Sequence, residues 1–161
     1  MPIDELRAID LLSRVPHGRV SASLRAMPYL ALARHAVVDG RVLIRMHRGG
    51  GHHQALSGAV VAYAADNMTP AVADGIAAPD RTGHGLDDLW TAHVIGTCRL
   101  VRDGAAPAES ALLGPLPHGV DDESYDPVYL WLTPEFGEAH RLRPLPPTAG
   151  RTPGPDAERV L

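Results

Sequence analysis

One dipeptide constrains this chain more than any other feature. In "AMPYLALARHAVVDGRVLIRMH" the pair Asp39-Gly40 separates two apolar, strand-like runs. Asp-Gly accepts the positive φ angles that a two-residue hairpin turn requires, so its flanks predict an antiparallel hairpin. The strands are expected from about Tyr29 to Val38 and from Arg41 to His47, with a turn at Met27-Pro28 leading in. Alternation with a period of two puts Leu30, Leu32, Ala36 and Val38 on one face with Arg34, and Tyr29 and His35 on the other. A charge in an apolar row needs an acid or an anionic ligand, so Arg34 is expected inside a cleft.

The rest of the chain has the same texture. Sixteen glycines and fifteen prolines in 161 residues imply many turns and favour short strands over long helices. "PIDELRAIDLLSRV" is the exception: Ile3, Leu6, Ile9 and Leu12 recur every third residue, which predicts an amphipathic helix packing on that face. "GRVSASL", "AVVAYAAD", "LWTAHVIGTCRLV" and "DPVYLWLTPEF" supply four more strands, and "HHQALSG" and "APAESALLGPL" two short helices. The glycine inside "LWTAHVIGTCRLV" predicts a bulge or a close backbone approach. The fold class is therefore mostly β with small helices, an antiparallel barrel or sheet of about six strands. Residues 1–143 are expected to form one domain. The unpatterned stretch from Asn67 to Asp88 is a long connection or lid, and the Pro/Gly-rich 144–161 a disordered tail.

Composition narrows the function. No apolar run approaches the roughly 18 residues of a membrane span, and the acidic N-terminus lacks the pattern of a signal peptide, so a cytoplasmic protein without membrane attachment is expected. A formal net charge of -4 disfavours nucleic acid as a partner. The single cysteine, Cys98, lies in an apolar run and is expected to be buried and inert.

"RMHRGGGHHQAL" is the segment richest in chemistry. Strand, glycines and helix start can bring backbone N–H groups to a phosphate, although the P-loop pattern is absent; the other reading is a permissive turn with solvated basic residues. His47, His52 and His53, with His84 and His93 further on, lack zinc-site spacing, so no metal is expected. No G-x-S-x-G elbow is present, and Asp121, Asp122 and Glu123 read as a solvated loop.

Taken in order, these segments resemble the flavin-binding split-barrel superfamily, the pyridoxamine 5'-phosphate oxidase-like proteins, and within it the nitroimidazole-reductase (Nim-like) branch. Pro28-Tyr29, Met46-His47, His52 to Leu56, Gly58 and "AVVAYAAD" carry the likeness, which spans roughly Leu6 to Pro144. The resemblance implies a six-stranded antiparallel split β-barrel of the FMN-binding type and a homodimer with FMN between the subunits. FAD, a deazaflavin, haem or no cofactor are the alternatives. It implies an FMN-dependent oxidoreductase acting on an organic small molecule, or else a small-molecule-binding protein whose cofactor site has degenerated. Phosphate contacts fall to Arg34, Arg48, His52 and the backbone of Gly49 to Gly51 (Gly50 and Gly51 foremost), with Arg45 a further cofactor candidate that supplies charge. His35, Met46, His53 and Trp90 are the further cofactor candidates. His47 is the candidate for substrate contact or proton delivery, because an imidazole changes protonation near neutral pH. Two departures bear on the cofactor: Met46 stands where relatives carry Thr, and His52 where they carry Lys.

Overall fold

The computed structural model describes residues 2–68, 89–102 and 106–142. Nearly all of the Asn67–Asp88 connection and the tail from Pro144 lie outside the described residues. In order come α1 (Ile3–Leu12), β1 (His17–Leu24), β2 (Met27–Val38), β3 (Arg41–His47), a 3-10 turn (Gly49–Gly51), α2 (His52–Leu56), β4 (Val60–Asp66) and β5 (Leu89–Leu100). A second 3-10 helix (Ala108–Leu113), the two-residue strands β6 (Gly119–Val120) and β7 (Glu123–Ser124), and β8 (Pro127–Leu142) follow.

Six strands close into a barrel in the order β1-β2-β3-β8-β5-β4, and every neighbouring pair is antiparallel. The Asp39-Gly40 turn forms as expected, with φ of 49° and 75°. The turn before β2 lies two residues earlier than expected, at Arg25 and Ala26 (φ 52° and 63°), and Met27 and Pro28 already pair with β1. Neither residue is a usual turn former, so the turn carries no sequence signal.

Alternation sends Val20, Ala33, Val42, Ile44, Met46, Val61, Tyr63, Val94, Cys98, Leu130 and Leu132 into the core. Full burial of a side chain of this kind contributes about 1.5–3 kcal/mol, so the barrel interior dominates stability. Helix α1 packs on β8 and β5, at a point where Gly137 leaves no room for a side chain: a Cβ there would lie 2.8 Å from Glu5 Cα. The buried face of α1 is Glu5, Ala8, Ile9, Leu11 and Leu12, whereas Ile3 and Leu6 are exposed. The strict three-residue spacing drifts around a 3.6-residue helix, and the close approach at Gly137 selects the small Ala8.

The two faces of β2 separate as expected, and the Tyr29–His35 face is the one turned inward. Tyr29, Ala31, Ala33, His35 and Val37 pack toward the core. Leu30, Leu32 and Arg34 point outward, with Leu30 and Leu32 65% and 68% exposed. Both faces of this strand are apolar, so hydrophobic alternation cannot tell inside from outside. Across the register, Leu30, Ser21, Ala62, Ile95 and Phe136 form one outer row over five strands. Farther along the outer face the 3-10 helix at 108–113 lies over β2 and β3, and Leu43 and Leu113 are both fully buried. We call residues 108–115 the strap.

Candidate functional site: the cleft behind the glycine turn

β3 ends at His47, and the chain turns sharply through three glycines into α2. Gly50 and Gly51 have φ of 63° and 72°, in the left-handed region that glycine enters without strain. Behind this turn is a cleft of about 490 Å3, lined on one side by His47, Arg48, the glycines, His53 and Gln54 and on the other by Glu123, Ser124 and Asp126. Small-molecule sites occupy roughly 300–1,000 Å3.

The backbone N–H of Asp126 donates to His47 Nδ1 at 3.0 Å. The neutral ring therefore carries its proton on Nε2, which faces Glu123 Oε2 at 3.9 Å. Tyr125 packs on the same ring, with centroids 5.4 Å apart. Arg48 is tied to Asp126 twice: its backbone N–H donates to the Asp126 carbonyl at 2.8 Å, and its Nε–H to Oδ2 at 2.7 Å. His53 is 2% exposed, and neither ring nitrogen has a hydrogen-bond partner. An imidazole left this way has one donor and one acceptor unspent, and a buried polar group without partners costs about 1–3 kcal/mol.

The other sequence candidates divide by location. His52 is exposed, its ring 5.1 Å from that of Tyr29. Met46, His35 and Trp90 belong to the barrel interior and not to the cleft: Met46 and Trp90 are part of the core cluster. His35 is held between the Leu12 carbonyl (2.7 Å) and the Tyr63 hydroxyl (2.8 Å). Period-two alternation carries these residues inward and leaves His47 at the rim. Arg34 and Arg45 lie outside the barrel beneath the strap, away from the cleft lining. Arg45 Nη1 donates to Gly114 O (2.9 Å), and Nη2 to Leu113 O (3.3 Å) and Pro115 O (2.9 Å).

Sequence reasoning missed the far wall of the cleft. Glu123, Ser124 and Asp126 are exposed; Glu123 reads as part of a solvated loop and Asp126 as the start of the last strand, and the pairing of β3 with β8, His47 opposite Pro127, brings them to the glycines. Only Asp121, with φ of 52°, hints at the turn between β6 and β7. Burial pushes the Cys98 thiol up to about 11, away from the thiolate a nucleophile needs. Among the described residues no cluster of three metal-ligating side chains occurs, and no helix is long and apolar enough to cross a membrane.

No family model matches the chain. An uncharacterized protein of Mycobacterium tuberculosis, Rv0080, is 38% identical over 73 residues, which are 42% of this chain and 48% of that protein. The chain thus spans about half the length of the curated relative it matches. An FAD-binding protein from Mycobacterium smegmatis superposes with a TM-score of 0.58 at 22% identity, covering 86% of this chain and 96% of the other. A Corynebacterium glutamicum protein named as a candidate pyridoxamine 5'-phosphate oxidase gives 0.60 at 17% identity (89% and 94% covered). A pyridoxinephosphate oxidase-family protein from Clostridium acetobutylicum, related to general stress protein 26, gives 0.52 at 17% identity (86% and 91% covered). The chain has the split-barrel fold that these flavin-binding and pyridoxamine 5'-phosphate oxidase-like proteins share.

Proposed function

We propose that the chain is an FMN-binding split-barrel protein of the Nim-like kind, a small cytoplasmic oxidoreductase that acts as a homodimer on an organic small molecule. The observation that carries this reading is the wall of the cleft: a buried imidazole, His53, with both nitrogens unspent, behind a glycine turn that lets a ligand approach the backbone. The fold adds support, because FAD-binding proteins are among its structural neighbours. A bound flavin would supply the redox chemistry, and the protein would bind it and exclude water. His47 is placed to hold or pass a proton at Nε2, with Glu123 as the group that faces it. His53 would pair with polar edge atoms of the ligand, and Arg48 would meet its phosphate by exchanging Asp126 for it. The outer row supports the homodimer, since Leu30, Ala62, Ile95 and Phe136 set apolar side chains on four strands, with Ser21 of β1 between Leu30 and Ala62, and such a strip is a surface to cover.

One observation favours a second reading, a small-molecule-binding protein without redox activity. Arg48 is already tied to Asp126, and Glu123 adds another carboxylate to the cleft, so negative charge faces the place a phosphate would take. The visible spectrum of the purified protein decides between the two. Flavin bands, present as purified or restored by added FMN, are expected. A colourless protein that ignores FMN, FAD and riboflavin would leave the second reading.

A further inference from the structure

The outer face of the barrel holds an electrostatic arrangement that the cleft does not explain. His17, Arg34 and Arg45 lie side by side on β1, β2 and β3, each directly opposite the next in register. Like charges opposed across a ladder are unfavourable, and burial sharpens the cost. Arg45 is 2% exposed, yet neither arginine forms an ion pair among the described residues. The chain carries 19 acidic residues against 15 basic ones, so carboxylates are not scarce.

The two guanidinium groups are not equivalent. Arg45 is occupied by the three carbonyls of residues 113–115, which fix it without neutralising it. Arg34 is half-buried, and its Nε, like that of Arg45, is shielded from solvent with no acceptor. Its Nη2 lies against Gly114, where a Cβ would approach to 3.0 Å and where φ is 68°. Glycine at this point lets the strap close beside the guanidinium without covering it with a side chain. His17 is exposed at the edge of the row. Burial, then Arg34, then Arg45 hold its imidazole below the ordinary value, as expected where positive charge goes unanswered.

We propose that the His17–Arg34–Arg45 row is an anion site for the carboxylate or phosphate group of a small molecule. Arg34 makes the direct contact, Arg45 is the fixed positive neighbour, and residues 113–115 form one wall. A guanidinium suits either group, because its planar fork pairs with two oxygens at once. Neither arginine lines the glycine-turn cleft; Tyr125, which packs on His47, lies between the cleft and Arg45.

The test is titration of the wild-type protein and Arg34→Gln with inorganic phosphate and with benzoate, at ionic strength held constant with chloride. Arginine Nε–Hε resonances report contact, and the thermal midpoint reports linkage. We expect a saturable shift of the Arg34 signal with at least one probe and a loss of affinity of about tenfold or more in Arg34→Gln. Arg34→Lys, which keeps the charge and loses the fork, should fall between them, and it serves if the Gln variant does not fold. FMN and riboflavin titrations identify the source of the anion. Weaker FMN binding with riboflavin unchanged assigns the site to a flavin phosphate, and no change in either assigns it to another ligand. The proposal is overturned if neither probe saturates, or if Arg34→Gln responds as the wild type does. It is equally overturned if the substitution only shifts the monomer–dimer equilibrium in sedimentation, since the charge would then answer a carboxylate of the second copy.

Discussion

His35 and Tyr63 meet inside the barrel in a 2.8 Å hydrogen bond whose direction is fixed by a third group. The Leu12 carbonyl can only accept, so His35 Nε2 carries the proton, and Nδ1 must accept from the Tyr63 hydroxyl. The pair joins the end of α1 to β2 and β4 through one neutral imidazole.

That arrangement makes stability depend on pH. Burial chiefly, against the opposing Leu12 hydrogen bond, and then His17 and Arg34, hold His35 below the ordinary histidine value. The unfolded chain therefore binds this proton first as pH falls. The stabilisation is complete above about pH 6.5 and declines below it, with a slope of at most ~1.4 kcal/mol per pH unit until the folded form also titrates. Urea unfolding between pH 5 and 8 should show stability rising with pH, and His35→Gln should flatten the profile. An unchanged slope in the variant would assign the dependence elsewhere.

Gly96 sits where β5 meets the bulge of β8, and a Cβ there would lie 1.9 Å from the Thr133 carbonyl oxygen. The obstacle is backbone, which cannot move aside as a flexible side chain can. Gly96→Ala should cost about 1–3 kcal/mol or more by overpacking. Chemical denaturation measures this directly, and a cost under about 0.5 kcal/mol would contradict the strand register.

The bulge at Gly96 and the Asp39-Gly40 hairpin were legible in the sequence because glycine chemistry is local. Barrel type was legible from the order of weak segments taken together. The outward face of β2 was not, because Leu30 and Leu32 have the same hydropathy as a core row and only the closed barrel shows that they point out. For the same reason the inward placement of His35 and Trp90 was not legible, since a polar or aromatic side chain on a strand does not announce its side. The far wall of the cleft was invisible because Glu123 and Asp126 reach it only through long-range pairing of β3 with β8.

Arg45 should hold the strap more than it holds the barrel. In Arg45→Met the carbonyls of residues 113–115 lose their donor, while a buried charge without an acid is also removed, so the net change in global stability should stay within about 1 kcal/mol. Exchange of the Gly114 amide, which donates to Ala111 O, should speed up about tenfold or more, with the β3 and β8 amides unaffected. Native-state hydrogen exchange reads both. Uniform acceleration across the barrel would show that Arg45 supports the whole fold.

Replacing Arg48 and His52 together by Ala tests the phosphate assignment at the glycine turn. Loss of a charge-assisted contact should raise the FMN dissociation constant roughly 10- to 150-fold, with riboflavin affected far less. Equal effects on both ligands would point to a general disturbance of the cleft, and no effect would reduce the stretch to a turn.

Leu30→Glu together with Leu32→Glu should leave the folded barrel intact, because both side chains are exposed, and should convert the proposed dimer to monomer. Sedimentation of the wild type as a monomer at micromolar concentration would remove the homodimer from the functional reading.

Each of the six barrel strands has a hydrogen-bonded neighbour on both sides. Closure covers much of the backbone edge through which β-proteins recruit foreign strands into runaway aggregates, and leaves residues 27–33 of β2 and 133–142 of β8 paired on one side. Over the closed part, copies of this chain can meet only by side chains on the outer surface, where a single charge can switch adhesion off. Assembly is then a property that point substitution tunes without reopening the fold.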